Sequence, residues 1–61
     1  MTTYQNSVLA KLSSAFGSTY FTAWEAAAAI DSVYGNACST LRSLCKSGAI
    51  TESSGTFTIN A

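Results

Sequence analysis

The sequence predicts an α+β fold that is mainly α, with three helices followed by a C-terminal β-hairpin, in one domain spanning residues 1–61. Three observations lead to this prediction. Apolar residues recur at helical spacing near the start of the chain, and a helix-capping sequence precedes a run of alanines in the middle. The segment 35–60 then has the pattern of a helix, a glycine and two short strands around a turn.

The first predicted helix runs from Thr3 to Phe16. Gly17 follows its last apolar residue, so we expect the helix to end there in a left-handed turn. Ser18 to Phe21 forms a link in which Tyr20 and Phe21 favour a minimal first strand. The side chains that share one helical stripe, and that we expect to face the core, are Tyr4, Val8, Leu9, Leu12 and Phe16.

The second predicted helix runs from about Ala23 to Asp31. Thr22 and Glu25 have the T-x-x-E spacing of a capping box, in which each side chain bonds to the backbone amide of the other residue. Alanine is the strongest helix former, and four alanines follow the box directly. We interpret Ser32 to Gly35 as the turn before the next helix.

The third predicted helix covers residues 36–47, and Gly48 is the residue expected after its C-cap. Strands at 49–51 and 56–59 would then flank a loop at 52–55, where a glycine allows a positive φ. The expected core-facing residues of this region are Ala37, Thr40, Leu41, Leu44 and Cys45 on the helix and Ile50, Phe57 and Ile59 on the strands, with the threonines of the strands facing out.

The order helix, short strand, helix, turn, helix and hairpin resembles the winged helix-turn-helix superfamily. The run STLRSLCKSGAI at 39–50 resembles a recognition helix that leads into a wing, and GTFTI at 55–59 resembles the second wing strand. FTAWE at 21–25 resembles the start of the second helix. The resemblance covers Val8 to Asn60 and implies a three-helix winged helix-turn-helix with the 49–59 hairpin as its wing. In size the chain also resembles short regulators of phages, archaeal viruses and plasmids.

The outer face of the third helix carries polar side chains and no acid. Asn and Arg can recognise adenine and guanine edges in the major groove, which indicates a small DNA-binding protein, a transcriptional regulator that places this helix in the groove. The other interpretation is a merely solvated or protein-facing surface, since Lys46 is favoured near a helix C-terminus by the helix dipole. The candidate DNA-binding residues are Asn36, Ser39, Arg42, Ser43 and Lys46 on the helix and Ser53 and Ser54 on the hairpin.

Charge limits this function, because three basic and three acidic residues give a net charge of zero. One chain can neutralise only about two or three phosphates, and Glu52 near the wing repels phosphate. We therefore expect a homodimer or higher oligomer on double-stranded DNA.

If Tyr4 or Trp24 is exposed, it is a candidate interface anchor. The large rings, most of which we expect to be core or half-buried, are Tyr4, Tyr20, Trp24, Tyr34 and Phe57.

The alternative function is a protein-interaction module on the same fold, such as a small phage-type inhibitor or an assembly component that docks on another protein. The zero net charge and the serine-rich surface are consistent with this alternative. Salt dependence distinguishes the two, because DNA binding weakens with salt and apolar docking does not.

An enzyme is not expected. The chain has no His, its three acids are scattered, and it contains no glycine-rich phosphate loop or nucleophile motif, so we also expect no cofactor. Without a His or a Cys-x-x-Cys pair, no metal site is expected.

On a helix that rises roughly 1.5 Å per residue, the Cα atoms of Cys38 and Cys45 would lie about 10.5 Å apart, which is too far for a disulfide. We therefore expect free thiols that serve as small core residues.

Neither a membrane span nor a secretory signal is expected. No apolar run approaches the roughly 18 residues of a membrane helix. The first five residues lack the basic and apolar blocks of a signal peptide. We therefore expect an intracellular, cytoplasmic protein without a membrane partner.

Overall fold

A computed structural model describes residues 2–60 of the chain. Within that range three helices accompany a three-stranded antiparallel sheet of strand order β1-β3-β2. The predicted α+β class, mainly α, is confirmed, and the architecture is compatible with a winged-helix fold. The elements are α1 (Thr3–Phe16), β1 (Phe21–Thr22), α2 (Ala23–Ala29), α3 (Tyr34–Ser47), β2 (Ile50–Ser53) and β3 (Thr56–Ile59).

Two capping boxes start the first two helices. Before α2, the Glu25 amide donates to Thr22 Oγ1 at 3.2 Å and the Thr22 amide donates to Glu25 Oε1 at 2.8 Å, as predicted. Before α1, Thr2 and Gln5 form the same reciprocal pair at 3.1 and 3.0 Å. This box was not predicted, although its T-x-x-Q spacing matches the capping-box pattern. Each box satisfies two amides that a helix N-terminus otherwise leaves unpaired.

The C-terminus of α1 differs from the predicted left-handed turn. The helix does end at Gly17, whose amide donates to the Ser13 carbonyl at 2.8 Å. Its φ of 59° is positive, but its ψ of −122° lies outside the left-handed helical region. At Gly17 the backbone is therefore more extended than in a left-handed cap, and the chain continues toward β1.

The turn between α2 and α3 lies two residues earlier than predicted. Helix α2 ends at Ala29 instead of Asp31, because Ile30 turns into the core and Asp31 takes a positive φ of 53°. Helix α3 begins at Tyr34 instead of Asn36. Its N-cap, Val33, makes no side-chain capping bond, so the sequence carries no local signal for this start.

The hairpin is longer and its loop is shorter than predicted. Strand β2 extends to Ser53, which pairs with Thr56, so only Ser54 and Gly55 form the loop. Their φ values of 52° and 84° are both positive, as a type I′ hairpin turn requires. Glu52 therefore belongs to a strand, and its carboxylate accepts from the Gly55 amide at 3.0 Å.

Hydrogen bonds of Asn60 connect the open end of the hairpin to the C-terminus of α3. Its Nδ2 donates to the Gly48 carbonyl at 2.8 Å, and its amide donates to the Ala49 carbonyl at 3.0 Å. Its Oδ1 accepts from the Thr51 hydroxyl at 2.8 Å. Gly48 is itself the C-cap of α3, with a left-handed φ of 83°. The start of the hairpin is therefore held both by the end of α3 and by Asn60.

The core lies where α1, α2, α3 and the sheet meet. Phe21 is the largest fully buried side chain, and its ring stacks between Phe16 of α1 at 4.7 Å and Phe57 of β3 at 6.0 Å, measured between centroids. Tyr4, predicted to face the core, is exposed because it sits on the first turn of α1 beyond the core edge. The buried residues are Val8, Leu12, Phe21, Ala23, Ala26, Ala27, Ile30, Ala37, Leu41, Leu44 and Ile50.

The hairpin's faces follow the predicted alternation in part. Ile50 is buried, and Phe57 and Ile59 are half-buried against the core. Thr51 is exposed as predicted, but Thr56 and Thr58 are half-buried. Strand β3 is central in the sheet and is paired on both sides, so its outer face is more enclosed than that of an edge strand.

We expect Thr22→Ala to lower the free energy of unfolding by about 1 kcal/mol, because it removes the side-chain acceptor of the α2 capping box. Urea denaturation followed by circular dichroism measures the change. Ser18→Ala, at an exposed loop position, is the control and should change stability by less than about 0.5 kcal/mol. Equal effects from the two substitutions would contradict the assigned role of the box.

We expect Ser54→Asn to raise the free energy of unfolding by about 0.5 kcal/mol, because Asn tolerates positive φ better than Ser and Asn-Gly favours the type I′ turn. The same denaturation experiment measures it. Ser53→Asn is the matched control: Ser53 lies in a strand, where Asn is disfavoured, so that variant should gain nothing. A gain from both variants would indicate an effect unrelated to the turn.

Candidate nucleic-acid interface

The outer face of α3 is exposed along its length. All five of its predicted contact residues are exposed, and so are both serines at the hairpin tip. At about 100° per residue, Ser39 and Lys46 project near the centre of this face, and Arg42 and Ser43 project toward opposite edges. The residues that the structure thus brings onto one helix face are Asn36, Ser39, Arg42, Ser43 and Lys46.

A groove of about 350 Å³, here called the wing-side groove, lies between α3 and the hairpin. Arg42 lines it on the helix side, and Glu52 and Phe57 line it on the sheet side. The register explains this position of Glu52, because pairing with Phe57 places both side chains on the face that turns toward α3. Arg42 and the carboxylate-bearing Glu52 therefore line the same groove from opposite sides.

A second depression, of about 180 Å³, lies on the opposite edge of the α3 face. Ser39 and Ser43 line it from α3, and Thr2, Tyr4 and Gln5 line it from the start of α1. The sequence did not predict these α1 residues as neighbours of the face, because the contact joins segments more than thirty positions apart. The α3 face is thus a ridge between the wing-side groove and the first turn of α1.

The expectation that most large rings are core or half-buried is wrong. Tyr4, Tyr20, Trp24 and Tyr34 are all exposed, and only Phe57 of that set is half-buried. Tyr4 is 57% exposed and Trp24 is 68% exposed, so both are candidate interface anchors. The physical reason is size: alanines supply four of the eleven buried residues, and the closely packed helices leave little room for further rings.

Trp24 and Tyr34 stack on each other at the surface. Their ring centroids are 4.0 Å apart and their planes differ by 25°. A hydrogen bond with the Cys38 side chain, together with the charge on that group, raises the pKa of Tyr34. Since Cys38 also lines the wing-side groove, the stacked rings adjoin that groove. Because Trp24 and Tyr34 are ten positions apart in the sequence, no local pattern predicts this contact.

Both cysteines are free, as expected, but they are half-buried and line the wing-side groove instead of being core residues. They pack against the edge of the core instead of lying within it. Burial raises the pKa of the Cys45 thiol, and the negative charge of Glu52 raises it further. Cys45 is therefore protonated at neutral pH to a greater degree than an ordinary thiol.

No protein-family model, no curated protein and no solved structure matches this chain. Across residues 2–60, no helix is long and apolar enough to cross a membrane. Over the same range, no cluster of three or more His, Cys, Asp or Glu side chains is arranged to hold a metal ion. Functional inference therefore depends on the geometry of the α3 face and its surroundings.

We expect Cys45 to react with iodoacetamide more slowly than free cysteine at neutral pH, because its raised pKa lowers the thiolate fraction. The rate should keep rising at pH values above the ordinary thiol pKa of about 8.5. Glu52→Gln should lower the pKa of Cys45 and speed the reaction, although burial keeps that pKa raised. Peptide mass spectrometry measures the rate at Cys45 separately from Cys38.

Glu25→Gln is the control for this experiment. It removes the same charge at α2 and retains a side chain that can complete the capping box, so the Cys45 rate should not change. A Cys45 that reacts faster than free cysteine, or one that responds equally to both substitutions, would contradict the assignment.

Proposed function

We propose that this chain is a small winged helix-turn-helix protein that binds double-stranded DNA and regulates transcription, with α3 in the major groove and the hairpin as its wing. The observation that carries the proposal is the exposed α3 face, which presents Arg42, Lys46 and hydrogen-bonding side chains and no acid. Arginine and asparagine can bond to base edges, and serine can bond to bases or phosphates.

The element order supports the same proposal. A short β1 stands between α1 and α2 and pairs with β3, so the sheet is anchored beside the helical pair that precedes α3. The Asn60 bonds and the Gly48 cap fix where the wing leaves α3. A recognition helix and a wing held in fixed relation can contact a groove and the neighbouring backbone together.

Charge predicts how this binding would behave. Two or three phosphate contacts per chain give a dimer about four to six. The logarithm of the binding constant should therefore fall with the logarithm of salt concentration with a slope of about −3.6 to −5.4. Such a dimer would owe much of its affinity to base contacts. Affinity for random sequence should accordingly be low.

Selection of the protein against random duplex DNA, followed by sequencing, tests the proposal directly. On the enriched duplex, measured by fluorescence anisotropy, we expect Arg42→Ala to weaken binding about tenfold, because the variant cannot bond to base edges. Lys46→Ala should weaken it less and reduce the steepness of the salt dependence by about 0.9 for each phosphate that the side chain neutralises. Lys11→Ala removes the same charge from α1 and should have a smaller effect than either.

Selection that enriches no sequence motif would overturn the DNA assignment. Unchanged affinity in both α3 variants would overturn the role of α3, because it would mean that another element contacts DNA.

The second candidate function is a protein-interaction module, and the exposed Trp24–Tyr34 stack is the observation that favours it. Tryptophan and tyrosine dominate the binding energy of protein interfaces, whereas DNA contacts depend on cations. A partner bound mainly through these rings would show little salt dependence. A salt titration of the bound complex therefore separates the two candidates.

A further inference from the structure

The exposed face of α3 lies between two depressions of different chemistry. On one side is the wing-side groove, and on the other is the depression of about 180 Å³ against the first turn of α1, here called the α1-side depression. At about 100° per residue, the α3 residues that line the two are centred roughly 140° apart around the helix axis, with Lys46 between them. The lining residues of the α1-side depression are Thr2, Tyr4, Gln5, Ser39, Thr40 and Ser43.

A helix seated in the major groove of DNA has a phosphate strand on each side. The groove is about 12 Å wide, and a helix with its side chains is about 10–12 Å across. Because the helix fills the groove, the two strands that border the groove pass close to both flanks of the helix. In the proposed complex, the wing-side groove and the α1-side depression therefore each face one sugar-phosphate strand.

The α1-side depression is the better match to a phosphate strand. All six lining residues carry a hydroxyl or an amide that can donate a hydrogen bond, and none of the six is acidic. Such side chains commonly bond to phosphate oxygens. A phosphate in the wing-side groove would instead meet the Glu52 carboxylate together with Arg42, against a lining of Phe57 and two thiols, and an ionised carboxylate has no hydrogen to donate.

Tyr4 is the α1 side chain best placed to bond to this strand. It is 57% exposed, and it lines the depression together with Ser39 and Ser43 of α3. The side chains of Thr2 and Gln5 are already engaged, since each bonds to the backbone amide of the other residue in the capping box. The Tyr4 hydroxyl is a donor at the end of a long side chain, and a phosphate oxygen is a suitable acceptor.

We infer that the first turn of α1 forms a second DNA contact, in which the Tyr4 hydroxyl donates to a phosphate of the strand that passes the α1-side depression. Ser39 and Ser43 contact the same strand from the α3 side. This inference rests on the proposed DNA function, and it specifies that the α1 flank of α3 holds the duplex backbone more tightly than the hairpin does.

Tyr4→Phe on the enriched duplex tests the inference, because it removes only the hydroxyl. Binding measured by fluorescence anisotropy should weaken about threefold to tenfold, as for the net loss of one hydrogen bond. The loss should be the same on a duplex with a scrambled motif, since phosphate contacts carry no sequence information. The salt dependence should keep its slope because the hydroxyl is uncharged, in contrast to Lys46→Ala.

Ethylation of single phosphates locates the contact. With the wild-type protein, ethylation of the phosphate that Tyr4 binds should weaken binding, whereas with Tyr4→Phe the same ethylation should cause less further loss. The variant should fold, because phenylalanine and tyrosine have similar helix propensity and the capping box of α1 does not use the Tyr4 side chain. Far-ultraviolet circular dichroism checks this.

Two variants are the controls. Tyr20→Phe removes the same hydroxyl from a side chain that is 64% exposed and lines neither depression, so it should leave the affinity unchanged. Ser53→Ala removes a hydroxyl from an exposed position of the hairpin, and it should weaken binding less than Tyr4→Phe does.

Failure of this inference is distinguishable from failure of the DNA function. If Arg42→Ala weakens binding and Tyr4→Phe does not, α3 contacts DNA and the α1 contact is wrong. A larger loss from Ser53→Ala than from Tyr4→Phe, or an ethylation pattern that Tyr4→Phe leaves unaltered, also overturns this inference alone. A protein that binds no DNA overturns both.

Discussion

The Phe21 ring is the contact through which the helices and the sheet are joined. It is buried between Phe16 of α1 and Phe57 of β3, and it lies on a strand of only two residues. Backbone pairing of so short a strand cannot hold the sheet against the helices, so the stacked rings provide much of that attachment. Since α2 begins directly after β1 and β3 closes the hairpin, the positions of α2 and the wing both depend on this ring.

A core in which four of the eleven buried side chains are alanines has consequences at the surface. The alanines of α2 allow α3 to pack closely, and the small domain then has no interior space for its remaining rings. Trp24 and Tyr34 are left outside, where they stack on each other. The same close packing thus leaves the Trp24–Tyr34 stack exposed where α2 meets α3.

Charge limits how the α3 face can bind DNA. Arg42 and Glu52 line the groove between α3 and the hairpin from opposite sides. Lys46 and the hydroxyls of α3 lie on the open ridge. A DNA complex of this chain would therefore depend on base contacts and on a second copy.

Local signals in the sequence determined the fold class, the bounds of α1, the Thr22–Glu25 capping box and the polar character of the α3 face, because each depends on residues within a few positions. Only the tertiary structure decided the start of α3, where Val33 gives no capping signal, and the strand position of Glu52, which follows from its pairing with Phe57. It also decided that Trp24 is exposed and stacked. Exposure depends on how much core volume the other elements fill, and no local pattern records that volume.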